Sequence, residues 1–256
     1  TDGFARQLRE QAGEGDRRRR HLADLLLRGG AQPGVVMAAA ADVGWRALDA
    51  VVPVLLPADQ ARDVRFRYGA DGVVAERGRD AVLLLRDGPR ATRRQLADAL
   101  AQHGAVVGPT LGWAKVPEAV RLAEAVRLAG ELRLAGRTAD LGAVGPGPVF
   151  ADDHLGTLAL RGEPDALAVL AARRLAPFAR LREARRECLL STLDSWLRHW
   201  GSRAAVSAEL YVHPQTVSYR LKQLRELLGD DLDDPAARFE LLLVLAVRRY
   251  TPSRHP

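Results

Sequence analysis

Apolar residues change their period twice along this chain. Between Phe4 and Ala41 they recur at helical spacing. Leu22, Leu25 and Leu26 follow the basic run Arg17 to Arg20, and Gly29-Gly30 stop the first helix. A second, short helix from Val35 to Val43 is expected to end at Gly44. From Ala50 the apolar runs become short and rich in valine. Val51 to Leu56, Gly72 to Glu76 and Ala81 to Leu85 suit buried strands, and Arg77 to Asp80, which include Gly78, predict a hairpin turn. Thr92 and Gln95 have capping-box spacing ahead of Leu96 and Leu100. His103 before Gly104 reads as a cation at that helix end. Ala105 to Gly108 predicts another strand, and Pro117 opens a helix that carries Val120, Ala123 and Val126 and closes near Gly136. The Gly/Pro-rich Ala143 to Pro148 must be a loop, and Val149-Phe150 a further strand. Pro164 opens a helix with Leu167, Leu170 and Ala171 facing inward.

Strands that alternate with helices, one pair of them joined as a hairpin, predict a mixed sheet rather than a purely parallel one. The expected fold is α+β in four segments. Residues 1–48 are helical and residues 49–175 form the mixed-sheet α/β domain. Residues 176–186 form an arginine-rich linker interrupted by Pro177, and residues 187–256 form an all-helical domain. In that last domain Leu189, Leu193, Trp196 and Trp200 make one stripe of a helix ending at Gly201. Ser202 is a candidate N-cap for a second helix, with Val206 and Leu210 inward and its end near Tyr211. Pro214 suits a first helical turn, and Val217, Leu221, Leu224 and Leu228 form the buried stripe of a third helix that Gly229 ends.

Composition narrows the class without naming it. No fully apolar run exceeds seven residues, against the roughly 20 a membrane span needs, so no membrane partner is expected. Leu241 to Val247 is apolar on every face of its helix and must be covered on two sides, by its own domain and by the α/β domain or a second subunit. No signal peptide is read at the start, the single Cys188 excludes an internal disulfide, and a cytoplasmic location is expected. The formal charge is +6, and only Lys115 and Lys222 among the 38 basic residues are lysine.

Two short helices joined by a tight turn, the second amphipathic, form a helix-turn-helix, whose second helix has its outer face free for a major groove. Opposite the leucine stripe lie Gln215, Thr216, Ser218, Tyr219, Arg220, Lys222 and Gln223, which supply donors and acceptors for base edges and cations for phosphates. From Arg198 to Arg225 the bases Arg198, Arg203, Arg220, Lys222 and Arg225 face one acid, Glu209, a local charge of +4. From Glu226 to Glu240 six acids face only Arg238, a local charge of −5 that should point away from phosphates. The candidate DNA-binding residues are Ser202, Arg203, His213, Gln215, Thr216, Ser218, Tyr219, Arg220 and Lys222. Gln215, Thr216 and Tyr219 are assigned to bases or sugars, and Arg203, Arg220 and Lys222 to phosphates.

The stretch from Leu189 to Tyr250 resembles the C-terminal helix-turn-helix of the PucR/CdaR family of bacterial transcription regulators. The likeness rests on Leu210-Tyr211-Val212-His213, Thr216, Tyr219-Arg220-Leu221, Leu227-Leu228-Gly229 and Leu232-Asp233-Asp234-Pro235. It implies a Fis-type DNA-binding domain with residues 214–228 as recognition helix, double-stranded operator DNA as partner, and a homodimer or higher homo-oligomer. More weakly, Arg17 to Leu27, Ala41 to Trp45 and the segment from Ala50 are similar to the degenerate GGDEF-like domain that precedes this module in the family. The GG(D/E)EF signature is missing, which implies no cyclase chemistry. Where family members carry His-Arg-Asn-Thr-Leu-Arg-Tyr-Arg, this chain has His213-Pro214-Gln215-Thr216-Val217-Ser218-Tyr219-Arg220, so two cations are replaced by Pro214 and Ser218. Each lost phosphate contact lowers the salt slope by about 0.9.

Other chemistry has little support. Asp152-Asp153-His154 lacks a further ligand at metal-binding spacing and reads as a polar loop, and no phosphate-binding glycine motif or activated nucleophile is present. No catalytic residue, metal or cofactor is expected. The alternative function is an α/β ligand-binding or enzyme module whose helical bundle serves only oligomerisation. A small-molecule effector acting through the α/β domain is a further candidate partner, and the sequence does not identify it.

Overall fold

The computed structural model of the chain describes residues 2–45, 48–134 and 147–250. The chain divides into two compact units, Thr1–His154 and Leu155–Pro256.

In the first unit β1 (Ala50–Pro57) is the central strand because every one of its apolar side chains finds cover. Val52, Val54 and Leu56 join Ala81, Leu83 and Leu85 of β3 (Asp80–Arg86) on one face, under α3 (Ala61–Tyr68) and α4 (Arg93–Leu100). The alternate residues Val51, Leu55, Val82 and Leu84 are equally buried on the other face, where α1 (Asp2–Arg28) and α5 (Val116–Leu134) pack. Burial on both faces is why these strands read as continuous apolar runs rather than alternating ones. The hairpin forms as the pattern predicts: β2 (Gly72–Arg77) pairs antiparallel with β3, and Arg77 faces Asp80 across a two-residue turn in which Gly78 takes φ +65°. The sheet order is β2-β3-β1-β4-β6, with β4 (Val106–Val107) antiparallel to β1 and parallel to β6 (Val149–Phe150). The short β5 (Leu111–Gly112) also pairs with β1. It reaches that strand past Gly108, whose N–H donates to Pro53 O at 2.8 Å. A Cβ at Gly108 would stand 2.7 Å from both the Pro53 ring and the Ala119 carbonyl oxygen, so glycine is required for this close approach.

The second helix of the chain, α2 (Pro33–Asp42), ends where expected, and Trp45 beyond it is buried with its indole N–H donating to Ala70 O at 2.7 Å. Thr92 takes N-cap dihedrals for α4, yet its hydroxyl accepts no hydrogen bond from the helix, so the capping box expected with Gln95 does not form. The His103 Nδ1 is buried without a partner among the described residues. Asp152-Asp153-His154, expected as a polar loop, belongs to a 3-10 turn (Ala151–His154), where Arg93 holds Asp153 through Nη1 and Nη2 and lies 4.1 Å from the Phe150 ring centre, a structural clasp.

The second unit begins earlier than the α/β pattern suggests. α6 (Leu155–Leu160) and α7 (Pro164–Leu175) pack on α11 (Pro235–Tyr250), and Arg174 explains why. Its side chain is only 10% exposed, and its guanidinium reaches Glu240 Oε2 and Asp231 Oδ2, each at 2.7 Å. An arginine assigned by the sequence pattern to the end of the α/β segment thus neutralises two members of the acidic stretch. The expected linker is itself folded: Ala176–Phe178 form a 3-10 turn, Phe178 is fully buried, and α8 (Glu183–Arg198) starts within the arginine-rich segment. The apolar run of α11 is covered inside the unit on one side, where Leu241, Val244 and Leu245 are buried, while Leu242, Leu243 and Ala246 are half-buried and Val247 is exposed. No helix among the described residues is long and apolar enough to cross a membrane.

Removing one partner of a buried ion pair typically costs about 3–5 kcal/mol. Arg174→Ala is therefore expected to accelerate amide exchange in α7 and α11 by about a hundredfold or more, while exchange in the β1–β3 pairing stays unchanged. Unaltered exchange in α7 and α11 would show that the pair does not staple them.

Candidate nucleic-acid interface

Three helices build the site, and their caps set their boundaries. α8 ends at Arg198, after which Trp200 and Gly201 take φ +52° and +85°. The Gly201 N–H returns to Trp196 O at 3.0 Å and closes the helix. This reversal corrects one expectation. Trp200 falls on the Leu189-Leu193-Trp196 stripe by spacing, but the chain has left the helix by that point and the ring is 89% exposed. Ser202 caps α9 (Arg203–Leu210) as expected, its hydroxyl accepting from Ala205 N at 3.3 Å.

A three-residue turn, Tyr211-Val212-His213, follows. Tyr211 takes the left-handed conformation at φ 52°, ψ 41°, and its side chain is 95% exposed. Ser207 holds both ends of the reversal: its carbonyl accepts from Val212 N at 3.2 Å and its hydroxyl donates to Val212 O at 2.6 Å. His213 is the N-cap of α10 (Pro214–Leu228), with Nδ1 accepting from Gln215 N at 3.3 Å and Pro214 at the first helical position.

α10 is oriented by its buried stripe. Val217, Leu221, Leu224 and Leu228 join Leu189, Leu193, Trp196 and Leu197 of α8, Val206 of α9 and Leu241 and Leu245 of α11 in one core. Each such side chain contributes roughly 1.5–3 kcal/mol on burial, so a rotated α10 is excluded. What remains outside is a stripe of Gln215, Tyr219 and Lys222 at helical spacing, continued by Arg225 and Glu226. Tyr219 is 64% exposed. Thr216 and Ser218 flank the stripe and are half-buried.

The structure thus gathers Gln215, Tyr219 and Lys222 on one face, with Thr216 and Ser218 beside it and His213 at its head. Ser202 and Arg203 stand exposed at the start of α9. Arg220 departs from this group. It is half-buried, and its guanidinium donates to Thr192 Oγ1 of α8 at 3.3 Å. Sequence reasoning missed Trp200 and Tyr211, aromatic residues exposed at either end of α9. The glycine after Trp200 is the one signal that could have revealed the first.

Glu209, the only acid among Arg198 to Arg225, is consumed internally. Its carboxylate accepts from Ser195 Oγ at 2.5 Å and Arg198 Nη2 at 2.5 Å, and meets His199 Nε2 at 2.9 Å, tying α9 to the end of α8. These hydrogen bonds, from Ser195 foremost and then Arg198, pull its pKa from the ordinary 4.5 down to about 2. Arg203, Lys222 and Arg225, by contrast, have no acidic partner among the described residues. Three acids after α10 are likewise occupied: Asp231 and Glu240 by Arg174, and Asp234 by capping Ala236 N and Ala237 N of α11. No group of three or more His, Cys, Asp or Glu side chains among the described residues is arranged to hold a metal ion.

Residues 189–247 match the PucR C-terminal helix-turn-helix domain. The chain is 29% identical over 189 residues to the uncharacterised protein Rv2242 of Mycobacterium tuberculosis, a stretch covering 73% of this chain and 43% of that relative's length. Over 63 residues, 25% of this chain, it is 40% identical to the purine catabolism regulatory protein of Bacillus subtilis, of which it covers 12%. Among solved structures it is similar in fold to a regulator of polyketide synthase expression from Bifidobacterium adolescentis. The TM-score is 0.53 at 21% identity, with 91% of this chain and 92% of that one covered.

The Glu209 pKa fixes a pH signature. A carboxylate whose folded pKa lies below its unfolded value stabilises the fold fully above about pH 4.5, and that stability is lost as pH falls towards about 2. Glu209→Gln is expected to cost about 1 kcal/mol near neutrality, the group being partly exposed. The melting-temperature gap between variant and parent should close progressively below pH 4.5. A gap independent of pH would contradict the ionic role.

Proposed function

We propose, for a chain that carries a PucR C-terminal helix-turn-helix domain, that it is a sequence-specific regulator of transcription reading double-stranded DNA with α10 in the major groove. The observation that carries this reading is the exposed Gln215-Tyr219-Lys222 stripe set opposite the buried leucines of α10. The named regulators among the similar proteins support the class.

In this reading Gln215 and Tyr219 meet base edges or sugars, with Thr216 and Ser218 beside them. Lys222, Arg203 and Arg225 anchor phosphates, and the N-terminus of α9 capped by Ser202 presents backbone N–H groups to another. Arg220 is reassigned: held on Thr192, it positions α10 against α8 and is not a free phosphate contact. Two copies of the chain on half-sites about 34–36 Å apart complete the arrangement, which operates in the cytoplasm.

Binding of the full chain to a promoter fragment, followed by fluorescence anisotropy across a salt series, tests the assignment. Lys222→Ala should weaken binding to all sequences alike and lower the salt slope by about 0.9. Gln215→Ala should cost about 1–3 kcal/mol on the preferred site and relax selectivity at one base position. If both variants bind with the parent's affinity, selectivity and salt dependence, α10 does not read DNA.

A further inference from the structure

The first unit contains a cavity of about 330 Å³ at the end of the sheet away from the β2–β3 hairpin. It lies between the end of α3, the turn ahead of β2 and the loop joining β3 to α4. Its walls include Tyr68, Asp71, Leu85, Arg86, Arg90 and Ala91. A volume of this size sits at the lower end of the range for small-molecule sites, about 300–1,000 Å³.

Its polar equipment is incomplete. Tyr68 is only 4% exposed and lines the cavity, yet its hydroxyl is buried without a hydrogen-bond partner among the described residues. An unsatisfied buried hydroxyl costs about 1–3 kcal/mol, a deficit that a bound acceptor removes. Burial also raises the phenol's pKa, which keeps it protonated and able to donate. Arg86 Nη2 donates to Asp71 Oδ1 at 2.7 Å, whereas Arg90 Nη1 stands 3.7 Å from Asp71 Oδ2. One carboxylate cannot occupy two guanidinium forks of five N–H donors each, so both arginines keep donors to spare. Leu85 and Ala91 supply apolar wall, and Asp87 stands exposed at the rim.

A larger cavity of about 740 Å³ in the second unit lacks this feature. The charges around it are paired with one another, Arg248 with Glu187 and Arg186 with Glu183, and none of its lining residues carries a buried polar atom without a partner among the described residues.

We propose that the Tyr68–Arg86–Arg90 cavity binds a small metabolite carrying an oxyanion, a carboxylate or a phosphate monoester. The anion accepts from the Tyr68 hydroxyl and the spare guanidinium N–H groups, and its carbon skeleton lies against Leu85 and Ala91. The site belongs to the first unit alone and stands independently of the DNA-binding reading.

The test is titration of the ¹⁵N-labelled full chain with inorganic phosphate and, separately, with succinate, against sodium chloride at matched ionic strength. Saturable shifts of the Gly88, Arg90 and Ala91 amide signals that chloride does not reproduce are expected. Arg90→Gln, at an exposed position, and the near-isosteric Tyr68→Phe should each weaken that binding by about tenfold, with the remaining amide signals in place. Absence of saturable shifts with both anions, shifts that chloride reproduces, or affinity unchanged in both variants would overturn the proposal. Because the readout is confined to these amides, failure here leaves DNA binding by α10 untouched, and failure of DNA binding leaves this site untouched.

Discussion

The contact on which the functional face depends is the burial of α10 along Val217, Leu221, Leu224 and Leu228. Four apolar side chains, each worth roughly 1.5–3 kcal/mol, lock one side of the helix against α8, α9 and α11. Once that side is fixed, the identity of the outward side follows from the 3.6-residue period alone. Gln215, Tyr219 and Lys222 face solvent because Val217, Leu221 and Leu224 cannot. The caps refine the arrangement. Ser202 and His213 start their helices with side-chain acceptors, and Ser207 closes the turn between them. Every element of the helix-turn-helix is thereby specified both by its core and by its ends.

Electrostatics acts on this frame by removing acids from it. The chain's +6 says little about a partner, because its charges are unevenly used. Glu209 disappears into Ser195, Arg198 and His199, and Arg174 takes Asp231 and Glu240. Among the described residues, the exposed cations of α9 and α10 without an acidic partner are Arg203, Lys222 and Arg225; Lys222 lies on the polar stripe of α10 and Arg225 continues it. A phosphate backbone is attracted by such locally uncompensated charge, whereas the net charge of a whole chain dilutes it.

Much of this was legible in the sequence, for identifiable reasons. The β2–β3 hairpin and β1 announce themselves because β-branched runs are bounded by Gly and Pro, and α9 and α10 because Ser202, Pro214 and Gly229 punctuate a regular leucine stripe. α3 escapes because its eight residues are interleaved with arginines and show only Ala61, Val64 and Tyr68 as an inward face. α6 and β5 are too short to hold a period. Trp200 falls on the stripe by period although the helix ends two residues before it, at Arg198, because Gly201 marks the stop without saying how many residues the reversal takes up. Roles fixed by pairing are harder still. Nothing in the order of residues says that Arg220 lies on Thr192, or that Arg174 pairs with the acids of the helical unit rather than closing the α/β segment. Pairs of that kind are separated by 28 and 66 positions and exist only once the core has formed.

The outer face of α10 is proposed to read a DNA sequence. In-vitro selection of bound duplexes from a random pool by the purified full chain measures this most directly. Convergence on one motif is expected, with affinity that falls steeply as salt rises. A pool that stays random after repeated selection, at low salt as well as high, would contradict it.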